Sequence, residues 1–324
     1  MADESAPPQK KPRPPHPRER KRPLPWHEPK PREDDDSAPD AVAAIIADPS
    51  YREADKDLDF LQADPARGVR LELDYLKAET ELRAHGVAHT IVVFGGTRIV
   101  EPKAARRAVA QWTAAEAVNE ADPEIRQRLA VAHRIEAKSG FYDVARDFGR
   151  VVGKAGASMP PGERIMIMTG GGPGIMEAAN RGAHDAGAKS IGLNIALPKE
   201  QFPNPYITPG LAFSFRYFAM RKLHFLMRAR ALVAFPGGYG TLDELFEVLA
   251  LVQTRKMKPV PVVLVGETFW RHVFDADFLV EEGVIDPEDR ELFGFADTAD
   301  DIWRTILTWY EANGTPLLAK GDVP

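Results

Sequence analysis

Five short apolar runs, each followed by a turn and then by an amphipathic stretch, constrain this chain's fold more than any other feature. The runs are His89 to Phe94, Arg164 to Thr169, Ser190 to Ile195, Ala231 to Phe235 and Pro259 to Val265. Each has the length and β-branched content of a strand buried on both faces. The stretches between and after them, Ala104 to Ala117, Gly140 to Gly153, Gly174 to Ala186, Tyr217 to Ala229 and Leu242 to Val252, carry helical periodicity. Alternation of this kind builds βαβ units with right-handed crossovers, so the expected fold class is α/β, a doubly wound and mostly parallel sheet with flanking helices. The polar stretch Asn119 to Gln127 reads as an insertion within one crossover.

Three of the expected strands run into glycine-rich turns: Phe94-Gly95-Gly96-Thr97-Arg98, Thr169-Gly170-Gly171-Gly172-Pro173-Gly174 and Phe235-Pro236-Gly237-Gly238-Tyr239-Gly240-Thr241. In an open α/β sheet, ligands bind outside the carboxyl ends of the strands, which is where all three turns fall. Glycine lets the backbone approach a phosphate closely. A helix that starts directly after such a turn points unpaired N–H groups and its dipole at the anion. The two standard nucleotide fingerprints are absent. There is no GxxxxGK[ST], and the second turn lacks both the GxGxxG spacing and the acidic residue that marks dinucleotide binding. A nucleotide is therefore expected as substrate, with no coenzyme.

The remainder of the chain narrows the setting. Of its 28 prolines eleven lie in the first 40 residues, with a basic stretch from Lys10 to Arg32 and the acidic run from Glu33 to Asp36. Such a segment cannot offset its ordering entropy by burial, so residues 1–40 are expected to be a disordered tail. Residues 41–86 read as a helical lead-in of two helices, broken at Asp64-Pro65 and Gly68. Residues 87–312 form the expected nucleotide-binding domain, and 313–324 a C-terminal tail. The net charge of -6 argues against a protein that coats nucleic acid. With no cysteine, thiolate catalysis, disulfides and cysteine metal sites are excluded. No histidine spacing suggests a metal, and His224, on an apolar helix, reads as a core histidine. No apolar run approaches the roughly 20 residues that span a bilayer, so a cytoplasmic protein is expected.

The run Tyr217-Phe-Ala-Met-Arg-Lys222, followed by Ala231-Leu-Val-Ala-Phe-Pro-Gly-Gly-Tyr-Gly-Thr-Leu-Asp-Glu-Leu245, resembles the Lonely Guy (LOG) family, as does the second turn from Gly170 to Asn180. The resemblance covers about Val87 to Leu307. It implies a Rossmann-like phosphoribohydrolase that splits the N-glycosidic bond of a nucleoside 5'-monophosphate, AMP-like or a cytokinin riboside 5'-monophosphate, into free base and ribose 5-phosphate. It also implies a homo-oligomer. On this reading Arg221 and Glu244 carry catalysis. Gly238, Gly240 and Thr241 hold the 5'-phosphate, with Pro236, Gly237 and Tyr239 in the same loop. Gly171, Gly172 and Gly174 close around it, and Gly95, Gly96, Thr97 and Arg98 complete the crevice. Two departures stand out: the long N-terminal extension, and Asp243 where many members carry a second glutamate.

Several of these residues have a second reading. Thr241-Leu-Asp-Glu244 is also a capping box, in which Glu244 would satisfy a backbone N–H at the start of its helix. Arg221 sits on a helix apolar around most of its circumference and needs a partner there, either a phosphate or a carboxylate of the fold. Lys222 can hold substrate or snorkel to solvent. Glu177 can meet a ribose hydroxyl or complement a helix dipole. Thr97 and Arg98 can hold phosphate or only solvate the sheet edge. Two further functions compete: a non-catalytic nucleotide or cofactor carrier on the same fold, and a pyridoxal phosphate decarboxylase using Lys222.

Overall fold

In the computed structural model of the chain, residue 22 and residues 28–197 and 202–317 are described. Most of the expected N-terminal tail, and residues 318–324 of the C-terminal one, lie outside them. Two compact units divide at Gly68. The first carries α1 (Ala38–Ala47) and α2 (Leu58–Gln62), neither with a buried residue. Asp57 caps α2, its carboxylate accepting from Phe60 N at 3.1 Å.

Helix α3 (Arg67–Ala84) follows a single 3₁₀ turn at Asp64–Ala66, so the break expected at Asp64-Pro65 is present. Gly68 is not a break. It is the second residue of α3, in the first turn, where N–H groups have no intrahelical acceptor to lose. From Val69 onward the chain forms the second unit, to which nearly all of α3 belongs.

That unit is built on seven parallel strands: β1 (His89–Phe94), β2 (Ile165–Thr169), β3 (Ser190–Ile195), β4 (Ala212–Phe215), β5 (Ala229–Ala234), β6 (Val262–Val265) and β7 (Gly294–Ala296). Their order across the sheet is β4-β3-β2-β1-β5-β6-β7, and every pairing is parallel. The helices that join them are α4 (Pro102–Val118), α5 (Pro123–Lys138), α6 (Gly140–Ser158), α7 (Ile175–Asp185), α8 (Phe218–Met227), α9 (Tyr239–Gln253), α10 (Glu267–Val273), α11 (Ala276–Glu281) and α12 (Ala299–Ala312). Five strands and five helices expected from periodicity are present at close to the expected bounds. The edge strands β4 and β7 were not legible, because they are short and β4 alternates exposed with buried residues. The stretch from Asn119 to Gln127 is the turn of an α4–α5 hairpin and the first part of α5.

The parallel register explains the two cores. Ile191, Met168, Val92, Leu232 and Val262 are paired neighbours in one row across five strands. All five belong to one core cluster, with Ala78 and Leu82 of α3, Phe225 of α8 and Leu245 and Val248 of α9. One residue further along each strand the side chains point to the opposite face. There Val93, Val233 and Val263 pack with Phe148 and Val152 of α6, Ala179 of α7 and Ile302 and Ile306 of α12.

On that second face α6 and α7 approach so closely that their contact admits only glycine. A Cβ added at Gly149 would run into the carbonyl of Ala179, and one at Gly182 into the carbonyl of Arg146. Neither obstacle is a side chain that can turn away. Gly182→Ala is expected to destabilise the fold by about 1–3 kcal/mol, the usual range for overpacking. Urea unfolding checks this as a lower midpoint at unchanged slope.

Candidate functional site

Strand order reverses between β1 and β5, and the loops leaving these neighbours are tied together: Phe235 N donates to Phe94 O at 2.9 Å and Gly96 N to Pro236 O at 2.8 Å. In a doubly wound sheet this switch point is where the crevice opens. A cavity of about 210 Å³ lies there, lined by Gly95, Gly96 and Thr97 of the first loop, Gly238, Gly240 and Thr241 of the third, and Met176, Arg221 and Glu244. Three larger hollows, about 880, 730 and 270 Å³, lie elsewhere and contain no residue of the second or third glycine turn. The smaller one is the candidate site because the chemistry converges on it.

Helix α9 supplies its floor. Gly238 is extended and acts as N-cap, its carbonyl accepting from Thr241 N at 2.9 Å and Leu242 N at 3.1 Å. The N–H groups of Tyr239 and Gly240 have no acceptor among the described residues. That helix end is open to an anion. Because α9 starts at Tyr239, one turn earlier than a capping box at Thr241 requires, Glu244 lies in the second turn. It makes no hydrogen bond to the backbone, and the cap reading of this glutamate falls away.

Glu244 is instead a buried carboxylate, 4% exposed. Burial pushes its pKa up to about 7, against the opposing pull of Arg221 and Lys222 and with a smaller push from Glu247 and Asp243. Arg221 Nη1 stands 4.0 Å from Glu244 Oε1, within charge attraction but beyond hydrogen-bond reach. The guanidinium is held from two other sides. Its Nε donates to Leu193 O at 2.7 Å, and its plane lies over the Phe225 ring at 5.0 Å. Burial holds the Arg221 pKa below the ordinary arginine value, with Glu244 and Asp243 opposing.

Lys222, the next residue, points elsewhere. Its Nζ pairs with Asp243 Oδ1 at 2.8 Å and with Glu247 Oε2 at 3.1 Å. Burial opposes its charge, but these two carboxylates outweigh it and raise its pKa. Lys222 thus links α8 to α9 beside the cavity without lining it.

The second glycine turn is braced from behind. Gly171 (φ +70) packs so tightly on Asn194 that an added Cβ would strike that side chain. The Gly172 carbonyl accepts from Asn204 Nδ2 at 3.1 Å, and Asn180 joins Asn204 to Thr169. Gly174 (φ +73) lies against the Gly96 carbonyl, which accepts from Ile175 N at 3.3 Å, so the first N–H of α7 has an acceptor, while those of Met176 and Glu177 have none among the described residues. Of this turn, Gly170 comes nearest the charged pair: an added Cβ would lie 2.5 Å from Arg221 Nη2.

The other expected residues are placed as follows. Pro236 is buried, and Gly237 packs on Thr241. Tyr239 is 92% exposed beside the cavity mouth. Glu177 accepts from the Tyr142 hydroxyl at 2.8 Å and does not line the cavity. Arg98 lines the hollow between α4 and α5 instead.

Met176 in the cavity wall, and the buried set Thr169, Asn180 and Asn204 behind it, were not singled out from sequence. The available signal was a polar Asn180 within the apolar stripe of α7. Among the described residues no group of three or more histidine or acidic side chains could hold a metal ion.

A family model described as "possible lysine decarboxylase" matches residues 176–306. The cytokinin riboside 5'-monophosphate phosphoribohydrolase LOG3 of Arabidopsis thaliana is 32% identical over 173 residues, covering 52% of this chain and 75% of the relative. A probable cytokinin riboside 5'-monophosphate phosphoribohydrolase LOG4 of Oryza sativa subsp. japonica is 33% identical over 163 residues, covering 49% and 69%. Among solved structures, the molybdenum cofactor carrier protein of Chlamydomonas reinhardtii aligns over 70% of this chain and 99% of its own at 17% identity. Its TM-score of 0.39 is too low to bear on the site. The match with LOG3, which extends over three quarters of that relative, shows that the chain belongs to the LOG family.

Proposed function

We propose that this chain hydrolyses the N-glycosidic bond of a nucleoside 5'-monophosphate, releasing the free base and ribose 5-phosphate. The observation that carries the reading is one cavity joining an open helix N-terminus, an arginine and a buried carboxylate whose pKa lies at about 7. The names of the relatives point the same way. At about 210 Å³ the cavity is smaller than the roughly 300–1,000 Å³ of pockets that enclose drug-sized ligands. It suits a sugar phosphate, with the base toward the mouth.

On this reading the 5'-phosphate meets the free N–H groups at the start of α9. Binding energy from that remote group then orients the ribose. As the bond to the base breaks, its electron pair leaves with the base and positive charge grows at the anomeric carbon. Glu244 carboxylate stabilises that charge and takes a proton from the water that attacks there, while the departing base takes up a proton in turn. Arg221, its charge partly stripped of water, steadies the ribose or the leaving base. Protonated Lys222 is poorly suited to a Schiff base, which needs the neutral amine. A carrier without turnover remains the competing reading.

Homo-oligomerisation and a cytoplasmic location belong to the same proposal. No helix among the described residues is long and apolar enough to cross a membrane. Light scattering on the purified chain reads its oligomeric state.

Incubation with AMP, other nucleoside monophosphates and a cytokinin riboside 5'-monophosphate should yield free base and ribose 5-phosphate from at least one. Binding with no product from any of them would leave the carrier. Glu244→Gln, which retains the volume but not the charge, is expected to lower kcat by about 10²- to 10⁴-fold, the usual weight of an acid–base group; a wild-type rate would reject its role.

Because the carboxylate is the working form, kcat should rise with pH through a midpoint near 7 and level off above it. Measurement of kcat in the enzyme–substrate complex, beside titration of the substrate phosphate near pH 6, separates the two ionisations. Stability carries the opposite sign. The folded pKa is raised, so the contribution of Glu244 is full below its unfolded value near 4.5 and is lost as pH rises through about 7. In Glu244→Gln that pH-dependent loss should vanish from the urea midpoint.

A further inference from the structure

Helix α8, which carries Arg221, is a poor helix on its own terms. Its N-cap is Tyr217, which has no side-chain capping bond, and its body runs only ten residues. What it lacks, α3 supplies. Asp74 Oδ2 accepts from both Arg216 N and Tyr217 N at 2.9 Å, placing a carboxylate from another helix where a capping side chain would stand. Arg70 Nε donates to the Tyr217 hydroxyl at 3.0 Å. One turn on, Arg221 N reaches back to Tyr217 O at 3.3 Å, so the backbone of Arg221 hangs directly from the residue Asp74 holds.

Two more ties follow down the helix. His224 is fully buried, stacked on Tyr75 at 5.3 Å, with its Nε2 3.2 Å from the Tyr75 carbonyl. At the far end Arg228 Nη2 meets both oxygens of Glu79 at 3.0 and 2.9 Å, both side chains at most 10% exposed. A buried pair of this kind contributes little net stability but fixes register. The matched family segment begins at residue 176, so α3 lies outside it.

We propose that α3 is a splint for α8 and that Asp74 is a positioning residue, setting where Arg221 stands relative to Glu244. This rests on the hydrolase reading only for its catalytic consequence. The charges that act on the Glu244 carboxyl are Arg221, Lys222, Glu247 and Asp243. Asp74 bonds the backbone at the start of α8 and does not line the cavity, so its removal reaches Glu244 through α8, which carries Arg221.

The experiment is ¹³C NMR titration of the Glu244 carboxyl in the full chain, assigned by the signal lost in Glu244→Gln, for wild type, Asp74→Ala and Asp74→Asn. An opposite charge within about 4–6 Å lowers a carboxyl pKa by roughly 1–3 units. Partial loosening of Arg221 in Asp74→Ala should therefore raise the Glu244 midpoint by about half a unit or more, and the kcat limb should move with it. The kcat plateau should fall about tenfold with a smaller change in KM. Asp74→Asn, whose amide oxygen accepts the same two N–H bonds, should return both readings toward wild type.

A fall in melting temperature with midpoint and kcat unchanged in Asp74→Ala would overturn the proposal and leave Asp74 a helix cap. If Asp74→Ala does not fold, Asp74→Ser, too short to span the gap, is read by the same criteria. Should no variant, wild type included, release base, the NMR midpoint still decides the splint, and the hydrolase reading fails separately.

Discussion

The parallel pairing of β1 with β5 is the constraint on which the rest depends. Every other connection on the β1 side of the sheet adds strands in one direction; at β5 the chain crosses to the other flank. Two adjacent strands then send their loops to opposite faces, and nothing fills the gap between them. The bonds from Phe235 N to Phe94 O and from Gly96 N to Pro236 O hold that gap at a fixed width. The α9 N-terminus and Glu244, which follow directly from β5, take their positions from it.

Within the gap the dominant physical effect is loss of water. Glu244 and Arg221 face each other at 4.0 Å, yet burial shifts each toward its neutral form more than their attraction restores it. Two charges at hydrogen-bond distance would satisfy one another and leave little field for a ligand. Held slightly apart, they remain available, and low surrounding dielectric strengthens what each exerts on a third charge placed between them. Leu193 O and the Phe225 ring keep the guanidinium from closing the distance. The neighbouring Lys222 shows the contrast: fully engaged by Asp243, it has been taken out of the site.

How much of this was legible in the sequence depended on the range of the interaction. The central strands and their helices were readable because a strand buried on both faces writes a continuous apolar run, and a packed helix writes a stripe. The edge strand Ala212–Phe215 has neither, and exists because β3 offers it a ladder. Arg221, Glu244 and the third loop were legible from their motif. The fates of Lys222, Glu177 and Arg98 were not, since each is decided by a partner far along the chain or across a helix pair: Asp243, Tyr142 and the α4–α5 hairpin. The capping box failed as a reading of Glu244 because two glycines allowed α9 to begin a turn sooner than its first apolar residue suggests. Asp74 carries no local sign of its role, which arises 142 residues away at Arg216.

The contact between Gly174 and the Gly96 carbonyl ties the three glycine turns into one unit. The Gly96 N–H donates to Pro236 O in the third turn, and its carbonyl accepts from Ile175 N just after the second. A single residue of the first turn thus spans the other two through its own backbone. Gly174 holds φ at +73 and leaves no room for a Cβ against Gly96 and Thr97, a conformation and a closeness that glycine meets without strain. A side chain there would push on the residue that also holds Pro236, so a change in the second turn would be felt in the loop that opens α9.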